Sequence, residues 1–392
     1  MIQGREENGK LIISLTGVID STNAPKVEAA IRELRAKYPC NFVELDCDQL
    51  EYSTSAGLRI ILRLIQETDK TALVNVHSEL YEILDMTGFT EMTEVHKAYR
   101  VLSVENCEVI GQGANGKVYR IDPDTIIKVY LNPDALPEIH RERELARLAF
   151  VAGVPTAIPY DVVRIDGGGY GSVFELLNAK SFAKLLILGE KTPDEIAEMS
   201  IKLLKLIHSK EVRSDILPDM KAVALNWADF LKDYLPADLY EKLHALISAV
   251  PEDGHLIHGD YHVKNIMLQN DESLLIDMDT LSHGHPIFEL ASMYNSYEGF
   301  GLADPGLLKV FLGIPPETCG KLLRRSMELY LGTDDAKRIE EVLDKAKVIG
   351  LARIMRREIR RNGLNREDGR KLIGICRDML SELLPRIDSL TF

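Results

Sequence analysis

The stretch H-G-D-Y-H-V-K-N-I-M-L (His258–Leu268), continued after a polar turn by L-L-I-D-M-D (Leu274–Asp279), decides the fold. Asp260 stands five residues before Asn265, and Asp277 follows twelve residues later. Apolar Ile266, Met267 and Leu268 on one side and Leu274, Leu275 and Ile276 on the other flank the turn from Gln269 to Ser273, so the segment reads as a β-hairpin. A hairpin presents Asp260, Asn265 and Asp277 at one end of two paired strands. Phosphoryl transfer needs such a set: a carboxylate to orient an attacking hydroxyl and accept its proton, and an amide with a second carboxylate to hold magnesium. Taken singly, His-Gly-Asp is a turn and Ile-Asp-Met-Asp a strand end. The pieces carry weight because they occur together at this spacing.

The stretch resembles the catalytic and metal-binding segments of the aminoglycoside phosphotransferase and choline kinase family, distant relatives of protein kinases. The resemblance implies that Asp260 is the catalytic base and that Asn265 and Asp277 are Mg2+ ligands. His262 completes the catalytic set, two residues after the base, where protein kinases of the H-R-D-L-K type carry Lys. Histidine there favours the small-molecule branch.

Upstream, V-I-G-Q-G-A-N-G-K-V-Y (Val109–Tyr119) contains G-x-G-x-x-G with Gly111, Gly113 and Gly116. A dinucleotide-binding loop of that pattern runs from strand into helix. Here Lys117 to Ile121 continues as a strand, turns at Asp122-Pro123-Asp124 and returns over Thr125 to Tyr130, the glycine hairpin that covers ATP phosphates in kinases. Lys128 on the returning strand is the expected phosphate contact. A helix over residues 138–150 offers Glu142 and Glu144 as its partner; spacing favours Glu144, with Glu142 the alternative. Two further strands, Val154 to Val163 and Gly171 to Leu177, lead to a hinge at which the resemblance assigns backbone contacts to adenine at Glu175 and Leu177.

The first hundred residues have a different pattern. The Asn8-Gly9 turn precedes a strand at Leu11–Leu15; Asp20 to Asn23 offers caps for a helix beginning near Pro25; then come a strand (Asn41 to Cys47), a helix (Ser55 to Gln66), a strand (Ala72 to Val76) and a helix (Glu79 to Met86) that Gly88 ends. Alternation of this kind implies a small α/β layer domain with a partly parallel sheet. L-T-G-V-I-D (Leu15–Asp20), V-E-L-D (Val43–Asp46), Y-S-T-S-A-G-L-R (Tyr52–Arg59) and M-T-G-F (Met86–Phe89) resemble the STAS domain of anti-sigma-factor antagonists. The resemblance implies docking to a protein partner and makes Ser55 the candidate phosphoacceptor. Thr54 stands where partner-switching members have Asp, and Ala56 replaces a hydroxyl residue. Alternatively Ser55 simply caps its helix.

Composition narrows the function classes. A net charge of −14 argues against a general nucleic-acid binder, which needs clustered cations. Five widely spaced cysteines without a C-x-x-C pair read as reduced thiols of a cytoplasmic protein. No apolar run approaches a membrane span, and the N-terminus lacks a signal-like core.

The expected architecture is an α/β STAS-like domain (residues 1–98) followed by an α+β two-lobed protein-kinase-like fold, with a nucleotide-binding lobe over 99–178 and a helical lobe over 179–392. Only about a dozen residues separate Asp277 from Glu289-Leu290-Ala291, too few for a protein-kinase activation loop; the family's G-x-P-x-x-D-L-A motif carries Glu289 here. Asp279 either assists at the metal or substrate or holds the loop. His208 reads as a packed helix end. One basic cluster, Arg353, Arg356, Arg357, Arg360, Arg361, Arg366, Arg370 and Lys371, is either a solvated helix face or a docking site for an acidic or phosphorylated group. The expected activity is transfer of the γ-phosphoryl of ATP, with Mg2+, to a hydroxyl of a small molecule. The alternative is an anti-sigma-factor-antagonist-type regulator whose kinase-like domain senses nucleotide or phosphorylates the STAS domain.

Overall fold

The structure is a computed structural model that describes residues 2–113, 116–212 and 217–392. The chain forms two compact units: residues to Ser103 with Val162–Asp166, and Val104–Asp161 with Gly167–Phe392.

In the first unit, strands β1 (Gln3–Glu7) and β2 (Lys10–Ile19) form an antiparallel hairpin about Asn8 and Gly9, both at positive φ. That is the conformation Asn-Gly favours in two-residue hairpins. The β2 strand then pairs in parallel with β3 (Phe42–Ser53), which pairs in parallel with β4 (Lys70–Val76) and it with β5 (Glu94–Lys97). Parallel neighbours need crossover connections. The helices Ala24–Lys37, Ser55–Glu67 and Ser78–Met86 supply them, and Gly88 in the left-handed region follows the last. Leu11, Ile13, Leu15, Val43, Leu45, Leu73 and Leu84 are fully buried between sheet and helices. The unit closes with Val101–Leu102, which pairs in parallel with Arg164 and Ile165.

The second unit begins with an antiparallel sheet ordered Tyr170–Glu175, Thr125–Tyr130, Gly116–Asp122, Glu108–Gln112. The glycine segment is therefore a hairpin, with Gly111 opposite Val118 and Gln112 opposite Lys117. Helix Leu136–Val151 packs on this sheet. The expected strand from Val154 begins only at Asp161. Pro155 and Pro159 deny the preceding segment a regular ladder. Instead Thr156 bridges to Leu275, and Leu275 N–H donates to Pro155 O at 2.8 Å. That segment thus meets the strand leading into Asp277.

The remainder is helical around one core. Helix Ile287–Tyr297 is buried along all 11 residues, so it is a central spine rather than an amphipathic surface helix. The 25-residue Ala336–Arg360 and Pro316–Leu331 pack on it, with Glu367–Leu383 against the former and Pro193–Ile207 against the latter. The hairpin Ile266–Gln269/Glu272–Leu275 lies on this core, its tight turn made by Asn270 and Asp271, both at positive φ. No helix among the described residues is long and apolar enough to cross a membrane.

Candidate active site

Lys128 is half-enclosed on its strand, with its ammonium at the centre of an ionic cluster. Nζ donates to Glu142 Oε1 and Oε2 at 2.8 and 3.0 Å and to Asp277 Oδ1 at 3.1 Å. Burial alone would lower the Lys128 pKa; the Glu142 and Asp277 carboxylates outweigh it and hold the ammonium well above its ordinary value. Tyr130 donates its hydroxyl to Glu142 Oε2 at 2.5 Å and so fixes the carboxylate from the other side. Glu144, the partner favoured by spacing, is not part of the cluster. It is exposed and pairs with Arg147 at 3.1 Å. Helical phase explains the correction. Glu142 shares a face with buried Ile139, Leu145 and Ala146, whereas a residue two positions on points about 200° away.

Asp277 follows the inner strand with φ 65°, in the left-handed region that a non-glycine residue rarely enters. Ile276 N–H donates to Asn265 O at 3.0 Å, which seats Asp277 beside the preceding loop. Asn265 Nδ2 donates to the Asp260 main-chain oxygen at 3.0 Å and to its Oδ2 at 3.3 Å. His262, nearly buried, accepts from Lys264 N–H at Nδ1, so its Nε2–H faces Asp260 Oδ2 at 3.4 Å. Burial would raise the Asp260 pKa, but the His262 hydrogen bond and the charges of His262, His258 and Arg353 hold it well below the usual carboxylate range. Asp279 faces the opposite field. Burial, then the Asp277 carboxylate, pushes it up to about 7.

The loop carrying Asp260 is bracketed from beneath. Glu289, fully buried, accepts His258 N–H at 2.6 Å and Gly259 N–H at 3.0 Å. Gly259 O receives Ser292 Oγ at 2.8 Å and Arg353 Nη1 at 3.0 Å, and Thr280 Oγ1 donates to His258 O at 2.7 Å. Gly259 has φ 82°, and a Cβ there would meet Thr280 O at 2.7 Å, so no other residue fits without a shift. Motif reading noted Glu289 but missed Arg353, Ser292, Thr280 and Tyr130. The one available signal was an arginine inside the apolar run Val348–Met355. His208 caps its helix, and its Nδ1 meets Tyr330 OH at 2.7 Å.

In the glycine segment Gly113 N–H donates to Gly116 O at 3.0 Å; Ala114 and Asn115 lie outside the described residues. A Cβ at Gly116 would meet Val129 O at 2.4 Å, a close approach that requires glycine. Glu175 ends its strand opposite Thr125, and Leu177 lies just beyond it. In the first unit Ser55 is exposed at the first position of its helix, while Thr54 Oγ1 accepts from Ala56 N–H at 3.3 Å. The cap is therefore Thr54, which corrects the capping alternative for Ser55.

Comparisons with known proteins agree with this geometry. The model of the STAS domain matches residues 1–101, and that of the phosphotransferase enzyme family matches residues 106–312. BtrV of Bordetella bronchiseptica, named as an anti-sigma factor antagonist, is 33% identical over 92 residues, covering 22% of this chain and 78% of its own. The anti-sigma F factor antagonist of Paenibacillus polymyxa is 26% identical over 99 residues, covering 24% of this chain and 85% of its own. A thermostable mutant of aminoglycoside phosphotransferase APH(4)-Ia, solved with AMP-PNP and hygromycin B, superposes with TM-score 0.50 at 12% identity, covering 71% of this chain and 93% of its own. At that identity the likeness concerns the fold, which is the two-lobed kinase-like one. The chain joins a STAS-like domain to a kinase-like domain and belongs to the phosphotransferase enzyme family.

Proposed function

We propose that the second unit transfers the γ-phosphoryl of ATP to a hydroxyl group of a small molecule, and that the STAS-like unit regulates or localises this activity in the cytoplasm. The observation that carries the reading is the meeting of Lys128, Glu142 and Asp277, residues from the sheet, its helix and the catalytic hairpin. In this reading the acceptor oxygen attacks the γ-phosphorus, the bond to the bridging oxygen breaks, ADP leaves, and the hydroxyl proton passes to Asp260. His262 and Asn265 hold the Asp260 carboxylate at its working angle. Gly111, Gly113 and Gly116 bring main-chain amides to the phosphates, Lys128 neutralises them, and the main chain at Glu175 and Leu177 receives adenine. The nucleotide-binding lobe runs over 99–178 and the helical lobe over 179–392.

The donor set fits magnesium. Asn265 commits its amide N–H groups to Asp260, which leaves its oxygen, and the Asp277 carboxylate is 43% exposed. Mg2+ takes one or two protein oxygens and completes its shell with phosphates and water. When bound, the ion neutralises charge on the transferring phosphoryl group.

Asp260→Asn tests the reading. Phosphoryl transfer should fall by roughly 10²–10⁴-fold with Mg-ATP binding retained. Wild-type protein that does not bind Mg-ATP would sink it.

A second reading rests on the exposure of Ser55 beside the Thr54 cap. A hydroxyl free of capping duty is open to phosphorylation, and a protein partner would read the added charge. Label from ATP retained on wild-type chain and lost in Ser55→Ala would place the acceptor there; equal labelling of both would exclude it.

A further inference from the structure

The reading of the arginine cluster was left open by the sequence, and the placement of its members on the long helix bears on the choice. Arg353, Arg356, Arg357 and Arg360 recur at intervals of three and four on Ala336–Arg360, so they follow one face. The first is locked at the catalytic loop: Arg353 donates to Gly259 O at 3.0 Å and lies over the Trp227 ring at 5.5 Å. Both Arg353 and Arg357 act electrostatically on Asp260. One turn further on, an open surface cavity of about 530 Å³ is lined by Val223, Asn226, Trp227, Phe230, Arg356 and Arg360, with Asn226 and Arg360 exposed. Trp227 is thus a wall shared by the Asp260 side and the cavity.

Among the described residues the lining has no carboxylate. Arg356 lies over Phe230 at 5.7 Å, and its Nε is shielded from solvent without a hydrogen-bond partner among the described residues. Burial, then the like charge of Arg360, lowers the Arg356 pKa. Two guanidinium groups thus share a cavity with no counter-charge in its lining, although the chain carries a net charge of −14. An unpaired, shielded N–H beside a second cation is unfavourable unless an anion completes it. Nearby Glu358 is engaged by Arg366 instead.

Resting on the phosphotransferase reading above, we propose that this cavity is the acceptor subsite and selects a hydroxylated small molecule bearing an anionic group, carboxylate or phosphate. Arg356 and Arg360 take the anion, Trp227 and Phe230 cover an apolar or flat body, and the hydroxyl extends past Arg353 toward Asp260. The volume suits a metabolite-sized ligand. The same field repels polycationic acceptors.

Trp227 is the only tryptophan in the chain, so its fluorescence reports on this cavity without requiring catalysis. Full-length protein is titrated with phenyl phosphate, benzoate, benzyl alcohol and benzylamine, and Mg-ATP binding is measured separately by calorimetry. Saturable changes are expected with one or both anions, the stronger naming phosphate or carboxylate as the preferred group. Arg356→Gln/Arg360→Gln should weaken that response by roughly tenfold or more, while Arg356→Lys/Arg360→Lys keeps most of it. A charge-matched acceptor screen should then show ATP-dependent turnover confined to anionic alcohols, with the Gln pair raising KM more than it lowers kcat. Benzylamine binding as well as benzoate, an unchanged response in the Gln pair, or turnover of cationic acceptors alone would overturn the assignment. Mg-ATP binding without an anion response refutes this inference only. Anion binding without Mg-ATP binding refutes the phosphotransferase reading and the acceptor assignment with it.

Discussion

Removing Glu142 from the lysine cluster, with Glu144 as the matched control, puts the ionic geometry to a quantitative test. The Glu142 side chain is 8% exposed and takes three hydrogen bonds, two from Lys128 Nζ and one from Tyr130 OH. In Glu142→Ala the ammonium, 17% exposed, keeps Asp277 at 3.1 Å as its remaining counter-charge. Leaving a buried charge without any partner costs about 3–5 kcal/mol. Asp277 is 43% exposed, so it offsets only part of that loss, and the net cost should be about 2–3 kcal/mol. At roughly 2–4 °C per kcal/mol for a unit of this size, the melting temperature should fall by roughly 5–10 °C. Glu144 is 48% exposed and paired only with Arg147, so Glu144→Ala should stay within about 0.5 kcal/mol. Differential scanning calorimetry of the two variants, with KM for ATP measured alongside, reads both effects; KM should rise for Glu142→Ala because Lys128 loses its brace. Equal melting shifts in the two variants, or a larger one for Glu144→Ala, would refute the phase argument that places Glu142 in the cluster.

Glu289→Ala strands two buried loop amides at about 1–3 kcal/mol each, so amide exchange at His258 and Gly259 should accelerate together; protection equal to wild type would dismiss the bracket. In the first unit Thr54→Ala should cost about 1 kcal/mol in urea denaturation and Ser55→Ala less than about half of that, and the reverse order would return the cap to Ser55. Burial, with the neighbouring Asp46 charge, pushes the Cys47 thiol up to about 12. An unfolded thiol ionises near pH ~8.5, so between about 8.5 and 12 the unfolded state binds fewer protons and stability falls as pH rises. Cys47→Ala should flatten that alkaline limb in urea midpoints taken from pH 7 to 10; an unchanged slope would remove Cys47 as its source.

What was legible in the sequence follows the range of the interactions concerned. The hairpins at Asn8-Gly9 and Asn270-Asp271, the glycine hairpin and the alternating α/β elements are local, and turn chemistry or periodicity betrays them. The neighbourhood of Asp260, Asn265 and Asp277 was legible for the same reason: they are held by a loop and one hairpin. Helix phase was harder. Glu142 and Glu144 sit on one helix, and choosing between them requires knowing which face meets the sheet, a fact set by Ile139, Leu145 and Ala146 packing together. The segment from Val154 looked extended, but its prolines exchange a ladder for a bridge to Leu275, a contact 119 residues away in sequence. Arg353 was least legible of all, since its role depends on a loop carbonyl 94 residues away.

Charge is divided across Asp260 in a way that bears on how the site works. On one side the Asp277 and Glu142 carboxylates share a single ammonium, with Asp279 beside them pushed toward its neutral form. On the other stand Arg353 and its helix neighbours. Asp260 receives its hydrogen bond from His262 and feels Arg353, so it remains ionised and is a weak base. A weak base suits a loose phosphoryl transition state, in which the acceptor proton leaves late and orientation matters more than proton affinity. On the proposed phosphoryl transfer, the work of the site would fall on position: the loop fixed by Glu289, Ser292, Thr280 and Arg353 would decide where an acceptor oxygen stands. Arg353 would link the two halves of that task, because the guanidinium that holds the Asp260 loop lies over the tryptophan that walls the proposed acceptor cavity.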